Sequence, residues 1–342
     1  MSSLLTPPTA EALKHERTLA DISGANHILR LDGRGSAVEV DGANPDSWRT
    51  DVGLVWLDLD RRHERAQEFV GKQAGVDPII AEAILAEETR PRCLIDEDRM
   101  LLILRAVNLN PGADPEDMVS IRLWIGPGGV ISVRTYYVKA VAEVRDLLLH
   151  GKGPRRVGEL VASLACRIIG RLVPVINDLR DQCDDLEDQM VGPTPDPERG
   201  QVANIRRTAI VLKRYIAPQR EAMDALLAAE VTWLEENDRA RMAESTNLLQ
   251  RYIEDLDAVR ERAMVIQEEL GVRNNERLSK AVYIMSMCTV LFLPLNFVTG
   301  MLGMNLKGLP AAEHPMGFYV ILAALLVVVA IEVWLFRRFK WL

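Results

Sequence analysis

From Ala281 to Leu306 the chain runs for 26 residues without a charged side chain. A helix crosses a ~30 Å hydrocarbon core in about 20 residues, so this stretch is long enough to span a bilayer. A second apolar run, Pro315 to Phe336, holds one charge, Glu332. Only Lys307 to His314 lie between the two runs. The pattern predicts two transmembrane helices, 281–306 and 315–336, joined by a short outer loop at 307–314. A soluble helical hairpin of this length would normally keep a polar face.

Basic residues set the orientation. Arg273, Arg277 and Lys280 precede the first span, and Arg337, Arg338 and Lys340 follow the second. The outer loop offers only Lys307 and His314. Both termini, including the basic tail at 337–342, are therefore expected in the cytoplasm. Two helices per chain cannot enclose a polar path. If the protein conducts an ion, several copies must share one pore; otherwise the hairpin only tethers the chain.

Composition narrows the function classes. Lys and Arg number 41 against 49 Asp and Glu, a net charge of −8, which argues against a nucleic-acid footprint. The four cysteines form no CxxC pair and have no histidine at ligand spacing, so neither a zinc knuckle nor a disulfide framework is expected. The first residues lack the basic start and apolar core of a signal peptide. No nucleophile–base constellation is evident, and an enzyme is not expected.

Residues from about Glu235 to Leu302 contain no turn cluster and predict one helix on the order of 100 Å long at ~1.5 Å per residue. Leu249, Leu256, Ala263 and Leu270 repeat every seven residues, with Tyr252, Val259 and Ile266 interleaved. That is a coiled-coil-like seam, expected to pack on neighbouring helices. A second line lies five positions after each of the first set: Glu254, Glu261, Glu268, Asn275, Val282, Thr289, Asn296, Gly303. Its first part is acidic, either a cation path or a solvated face. Its second part is small or polar inside the apolar run. Thr289 and Asn296 cost free energy in lipid unless they hydrogen-bond or meet water. The stripe suits a pore lining, with tight helix packing through small residues as the alternative. Pro294 frees the carbonyl near Val290 and suggests a local kink.

At Gly303-Met304-Asn305 the helix can end. Gly303 tolerates close approach between chains. The Asn305 amide oxygen can accept from waters around a cation, and a ring of such oxygens would hold a hydrated ion without stripping it. That suits ions such as Mg²⁺, which dehydrate reluctantly.

These residues resemble the CorA superfamily of divalent-cation transporters. The likeness rests on GMN at the end of the penultimate span, on "FLPLNFVTGMLGMN", and on the terminal "KWL". Nearer the N-terminus it rests on "VWLDLD" (Val55 to Asp60) and on Phe69 to Asp98. The basic, turn-like "LKGLP" after GMN is similar to the ZntB zinc branch, whereas Met304 leans toward the magnesium type. The resemblance implies a homopentamer in a bacterial inner membrane, with a cytoplasmic α/β domain and a funnel of long helices. By position, Gly303 and Asn305 match the mouth. Asn296, Leu293 and Met285 match pore-facing sites, and Glu268 matches an acidic site at the inner end of the path. The cargo so implied is Zn²⁺, with Mg²⁺, Co²⁺ or Ni²⁺ as alternatives, and no cofactor is expected. A scaffold or sensor tethered by the hairpin is a rival of another class.

Two further features bear on zinc and protons. Glu313 and His314 adjoin in the outer loop and offer the carboxylate and imidazole that zinc prefers, or are simply a wet loop. Glu332, near the end of the second span, suits a proton-titrating group, or snorkels toward Arg337.

The remainder is expected as a tail at 1–26, an α/β domain with a mixed sheet at 27–150 and a helical stalk at 151–280. Strands are predicted at His27–Leu31, Val38–Val40, Leu54–Leu59, Arg92–Ile95, Met100–Asn108, Val119–Ile125 and Val130–Arg134. Helices are predicted at Arg62–Gly71, Pro78–Glu87 and Val138–Leu149. Gly126 to Gly129 predict a hairpin turn rather than a phosphate loop, because a strand follows. Asn177 to Met190 hold six carboxylates in fourteen residues, either a cation-gathering patch or a solvated helix face.

Overall fold

The computed structural model describes residues 24–40, 54–192, 195–304 and 316–338. The chain divides into two compact units, Met1–Gln267 and Glu268–Leu342.

The first unit is built on a seven-stranded sheet: β1 (Ala25–Leu31), β2 (Ala37–Glu39), β3 (Val55–Asp60), β4 (Arg92–Asp96), β5 (Arg99–Ala106), β6 (Val119–Gly126) and β7 (Gly129–Arg134). The order is β2-β1-β3-β7-β6-β5-β4. Only β3 and β7 pair in parallel; every other neighbour is antiparallel. This is the expected mixed sheet. Its inner strands are near-continuous apolar runs buried on both sides, as in the all-buried stretch Met100 to Leu104. One face packs on α1 (Glu64–Glu68) and α2 (Pro78–Leu85) through Ala66, Phe69, Val70, Ala81 and Ile84. Helices α3 (Lys139–Leu149), α4 (Val157–Gly170), α5 (Leu172–Val191) and α6 (Arg199–Ala228) complete the unit with the first part of α7 (Glu236–Leu302).

Local chemistry explains the boundaries. Asp77 caps α2 by accepting from the Ile79 amide at 2.8 Å, with Pro78 at the first helical position. Glu198 and Gln201 form a reciprocal capping box on α6. β6 and β7 join through Pro127-Gly128, with Gly126 paired to Gly129. Gly129 has φ +153°, and a Cβ there would lie 2.0 Å from the Val55 carbonyl oxygen, so only glycine lets β7 start against β3. Several predicted boundaries shift. The first helix starts at Glu64, capped by the His63 ring, and its last turn widens over Phe69–Gln73. α2 stops at Leu85, because Ala86 turns extended. β5 stops at Ala106, and the Asn108 amide donates to the Asp117 carbonyl at 3.0 Å.

A polar knot lies inside the sheet. Asp58 is fully buried and accepts from Asn26 Nδ2 (3.0 Å), Ser132 Oγ (2.5 Å) and Arg134 Nε (2.8 Å). Trp56 Nε1 donates to Ser132 Oγ at 3.0 Å, and the Trp56 ring meets His27 edge-on with centroids 4.7 Å apart. Burial pushes the His27 pKa down to about 3, against the attraction of Asp58. The folded pKa lies below the unfolded one, so the neutral ring's contribution is complete above about pH 6.5 and is lost as pH falls toward 3. We expect His27→Phe to flatten the acid side of the stability profile. Between pH 5.5 and 4 the wild type should lose roughly 1.4 kcal/mol per pH unit more than the variant. Parallel melting curves across that range check this, and identical slopes would refute it.

The helical layer shows the predicted seam. Met242, Leu249, Tyr252, Leu256, Val259, Ala263, Ile266 and Leu270 of α7 are all buried. α5 buries Leu172, Val175, Ile176, Leu179, Cys183, Leu186 and Met190 at matching spacing. The carboxylates of α5 lie on its other faces and are partly answered from α7. Arg262 forms ion pairs with Asp184 and Glu187, and Arg180 meets Asp255 at 3.5 Å. The six-carboxylate stretch is therefore in part a clasp between helices. Lys213 of α6 adds a pair with Asp257 at 2.6 Å.

In the second unit, α7 continues through Gly271 and Pro294 to Leu302, and α8 spans Gly317–Arg338. Both helices are long and apolar enough to cross a membrane.

Candidate functional site

Burial along α7 changes abruptly. The seam ends at Leu270, and no described side chain from Gly271 to Met304 is buried. The apolar window of this helix is wholly unburied within one chain, as is that of α8. Phe292, Phe297, Leu293 and Met285 stand 55%, 69%, 66% and 72% exposed. Such surfaces are unfavourable in water and suit lipid or further copies of the chain.

The second line of α7 is exposed both beside the seam and beyond it. Glu261, Glu268, Asn275, Val282, Thr289, Asn296 and Gly303 are all exposed. Residues seven apart on a straight helix drift only ~20° per repeat, so Val282 to Gly303 share one side. Leu293 and Met285 are also exposed on the same helix. The acidic part is only lightly engaged: Glu254 accepts from Gln250 at 2.6 Å, and Glu261 lies 3.9 Å from Arg260.

The polar residues in the apolar stretch divide into two kinds. Thr289 Oγ1 donates to the Met285 carbonyl at 2.9 Å, and Thr299 Oγ1 donates to the Leu295 carbonyl at 2.8 Å. Their donors are spent inside the helix, leaving lone pairs outward. Neither hydroxyl serves the carbonyl near Val290 that Pro294 frees. Asn296 is different, since its exposed amide presents donors and an acceptor in a run of Leu, Phe and Val. It is the residue in this stretch with most to gain from water or from a copy of itself.

α7 ends at Leu302, followed by a turn at Gly303 and Met304 whose Gly303 amide donates to the Thr299 carbonyl at 2.9 Å. Asn305, Glu313 and His314 lie outside the described residues. In α8, Glu332 is half-buried, and its Oε2 is sealed from solvent with no hydrogen-bond partner among the described residues. Buried side-chain oxygens are rarely left without a hydrogen-bond partner. Among the described residues no three of His, Cys, Asp and Glu are grouped to hold a metal ion. What the helix offers is a line of neutral oxygens and amides, chemistry that handles a cation with its water shell.

The model of the family described as "CorA-like Mg2+ transporter protein" matches residues 51–338. The chain belongs to the CorA family. It is 39% identical over 292 residues to the divalent cation transporter CmaX of Pseudomonas aeruginosa, covering 84% of this chain and 87% of that one. It is 34% identical over 323 residues to the zinc transport protein ZntB of Pectobacterium carotovorum, covering 94% and 97%. Among solved structures, full-length CmaX superposes with a TM-score of 0.81 at 36% identity, covering 93% of this chain and 98% of that one. The CorA magnesium transporter of Methanocaldococcus jannaschii gives 0.74 at 20% identity, covering 92% and 98%, a likeness of fold. The CorA family is one of transporters, not enzymes.

Proposed function

We propose that the chain transports divalent cations, Zn²⁺ foremost, through a pore shared by five copies in a bacterial inner membrane, with both termini cytoplasmic. One observation carries this. In a CorA-family chain, an apolar helix that no part of its own chain buries carries one interior polar line, which ends at Gly303-Met304-Asn305. A helix that only tethers has no use for Asn296.

In this reading Glu313 and His314 attract the ion and a ring of Asn305 oxygens admits it hydrated. It passes Asn296, Thr289 and Val282, then Asn275, Glu268 and Glu261. Leu293 and Met285 are the apolar constrictions, closing by dewetting. Glu332 couples the movement to protons. The zinc preference is supported by the ZntB relatives and by the basic loop after GMN. Met304 and the family's Mg²⁺ description favour a Mg²⁺/Co²⁺ channel as the second reading.

Uptake into proteoliposomes decides between them. We expect Zn²⁺ to enter faster than Mg²⁺, and an acidic outside to speed it. Glu332→Gln should remove the acid stimulation while leaving basal uptake. Mg²⁺ uptake indifferent to pH would instead establish the channel reading. No uptake of either ion would leave a tethered scaffold.

A further inference from the structure

The α/β unit contains a cationic hollow that the transport path does not use. Two clefts, of about 540 Å³ and 450 Å³, adjoin at Glu87 and Arg105, which line both. Arg61 and Arg122 line the larger, and Arg90, Arg214 and Tyr215 the smaller. Together five arginines and three carboxylates face this space, in a chain whose net charge is −8. Local charge thus runs against the global balance.

The arginines at the back are held without carboxylates. Arg122 is 1% exposed, and its guanidinium donates to the carbonyls of Ala86 (2.7 Å) and Glu87 (3.3 Å). Arg105 donates to the carbonyls of Met118 (2.7 Å) and Thr89 (2.5 Å), and lies over the Tyr215 ring at 4.7 Å. Arg61 donates to the Leu85 carbonyl at 3.2 Å and to Thr135 Oγ1 at 3.1 Å. Among the described residues no ion pair joins Arg61, Arg105 or Arg122 to a carboxylate. The Nε atoms of Arg105 and Arg122 are buried and have no hydrogen-bond partner among the described residues. Neutral carbonyls satisfy some donors but do not cancel the charge, and burying an unanswered cation is costly. The cost is visible at Arg122: burial, with Arg61 and Arg105 nearby, brings its pKa down to about 10.

We propose that these clefts bind an anion through its phosphate group, as free phosphate or as a nucleotide. Guanidinium forks match phosphate oxygens in geometry and charge. Arg105 is pre-positioned by backbone carbonyls and by Tyr215, and Arg122 adds its charge from the back, so little ordering is needed when the ligand arrives. Arg90 and Arg214 are exposed at the rim and supply the outer charge. The joined volume exceeds what a single phosphate fills and leaves room for an ester.

The test is calorimetric titration of the purified full-length protein in detergent, with chelator present, using inorganic phosphate and ATP as separate probes. We expect saturable binding and a raised melting temperature. Arg90→Glu/Arg214→Glu should melt as the wild type does without ligand and bind about tenfold or more weakly. Arg122→Met, at the back, should lose the ligand-induced rise in melting temperature. ATP binding far more tightly than phosphate identifies a nucleotide, and equal affinities identify free phosphate; either upholds the site. No saturable binding by the wild type, or unchanged affinity in the rim variant, would reduce these arginines to caps for the end of α2.

Discussion

Asn305→Ala should reduce Zn²⁺ uptake to the level of protein-free vesicles while the oligomer remains intact by size-exclusion chromatography. The effect follows from where α7 stops. The helix runs without a break from Glu236 to Leu302, and Gly303 and Met304 follow as a turn. The next residue is the first after the helix with an amide side chain, and each copy would contribute one. Neutral oxygens hold a cation's water shell by accepting hydrogen bonds. Alanine removes the acceptor without touching the helix, so binding at the mouth is lost and packing is not. Asn296→Leu should be milder, because hydroxyls and backbone oxygens remain around the lost amide. Uptake near the wild-type rate in Asn305→Ala would end the mouth hypothesis and leave Asn296 to be tested alone.

The second large effect is on stability. Asp58→Ala should destabilise the chain by roughly 3–5 kcal/mol, the range for removing one partner of a buried ion pair. Asp58 is 0% exposed, and Arg134, 2% exposed, pairs with it at 2.8 Å. Deleting the carboxylate leaves a guanidinium in the sheet without its buried counter-charge, while its Nη1 still donates to the Tyr136 carbonyl at 3.1 Å. It also strips Asn26 and Ser132 of their shared acceptor. Chemical denaturation of the full-length protein measures the loss. Adding Arg134→Met to Asp58→Ala should recover part of it, because the orphaned charge goes too. A cost under about 1 kcal/mol for Asp58→Ala would place the pair among those of surface strength.

The uneven legibility of the chain has physical causes. The seam from Leu249 to Leu270 could be read off because burial of a helix face depends on spacing alone. The seven strands could be found because inner strands are apolar runs and edges carry turns. The boundaries were less accessible: α2 ends at Leu85 rather than Glu87 because guanidiniums from Arg61 and Arg122 take over its final carbonyls. The carboxylates of α5 read as a cation-gathering patch or a solvated face, because Arg262, which pairs with Asp184 and Glu187, lies 75 residues or more along the chain.

The sequence by itself determined that one long helix runs from a stalk-like part into an apolar span, that a second apolar helix follows, that the first carries a polar line ending in Gly-Met-Asn, and that the chain resembles CorA proteins. All of these are periodicities, runs or adjacent residues, and a one-dimensional string displays them. Only the tertiary structure decided which charges meet. Arg105 and Arg122 sit in strand sequences, MLLILRA and VSIRLWIG, where alternation marks them as odd but names no partner. Asp58 finds Arg134 because β3 and β7 pair in parallel, in a register that sets Asp58 beside Ser132. Coulomb and hydrogen-bond energies depend on distance in space, and that distance is fixed by pairing between segments far apart in the chain.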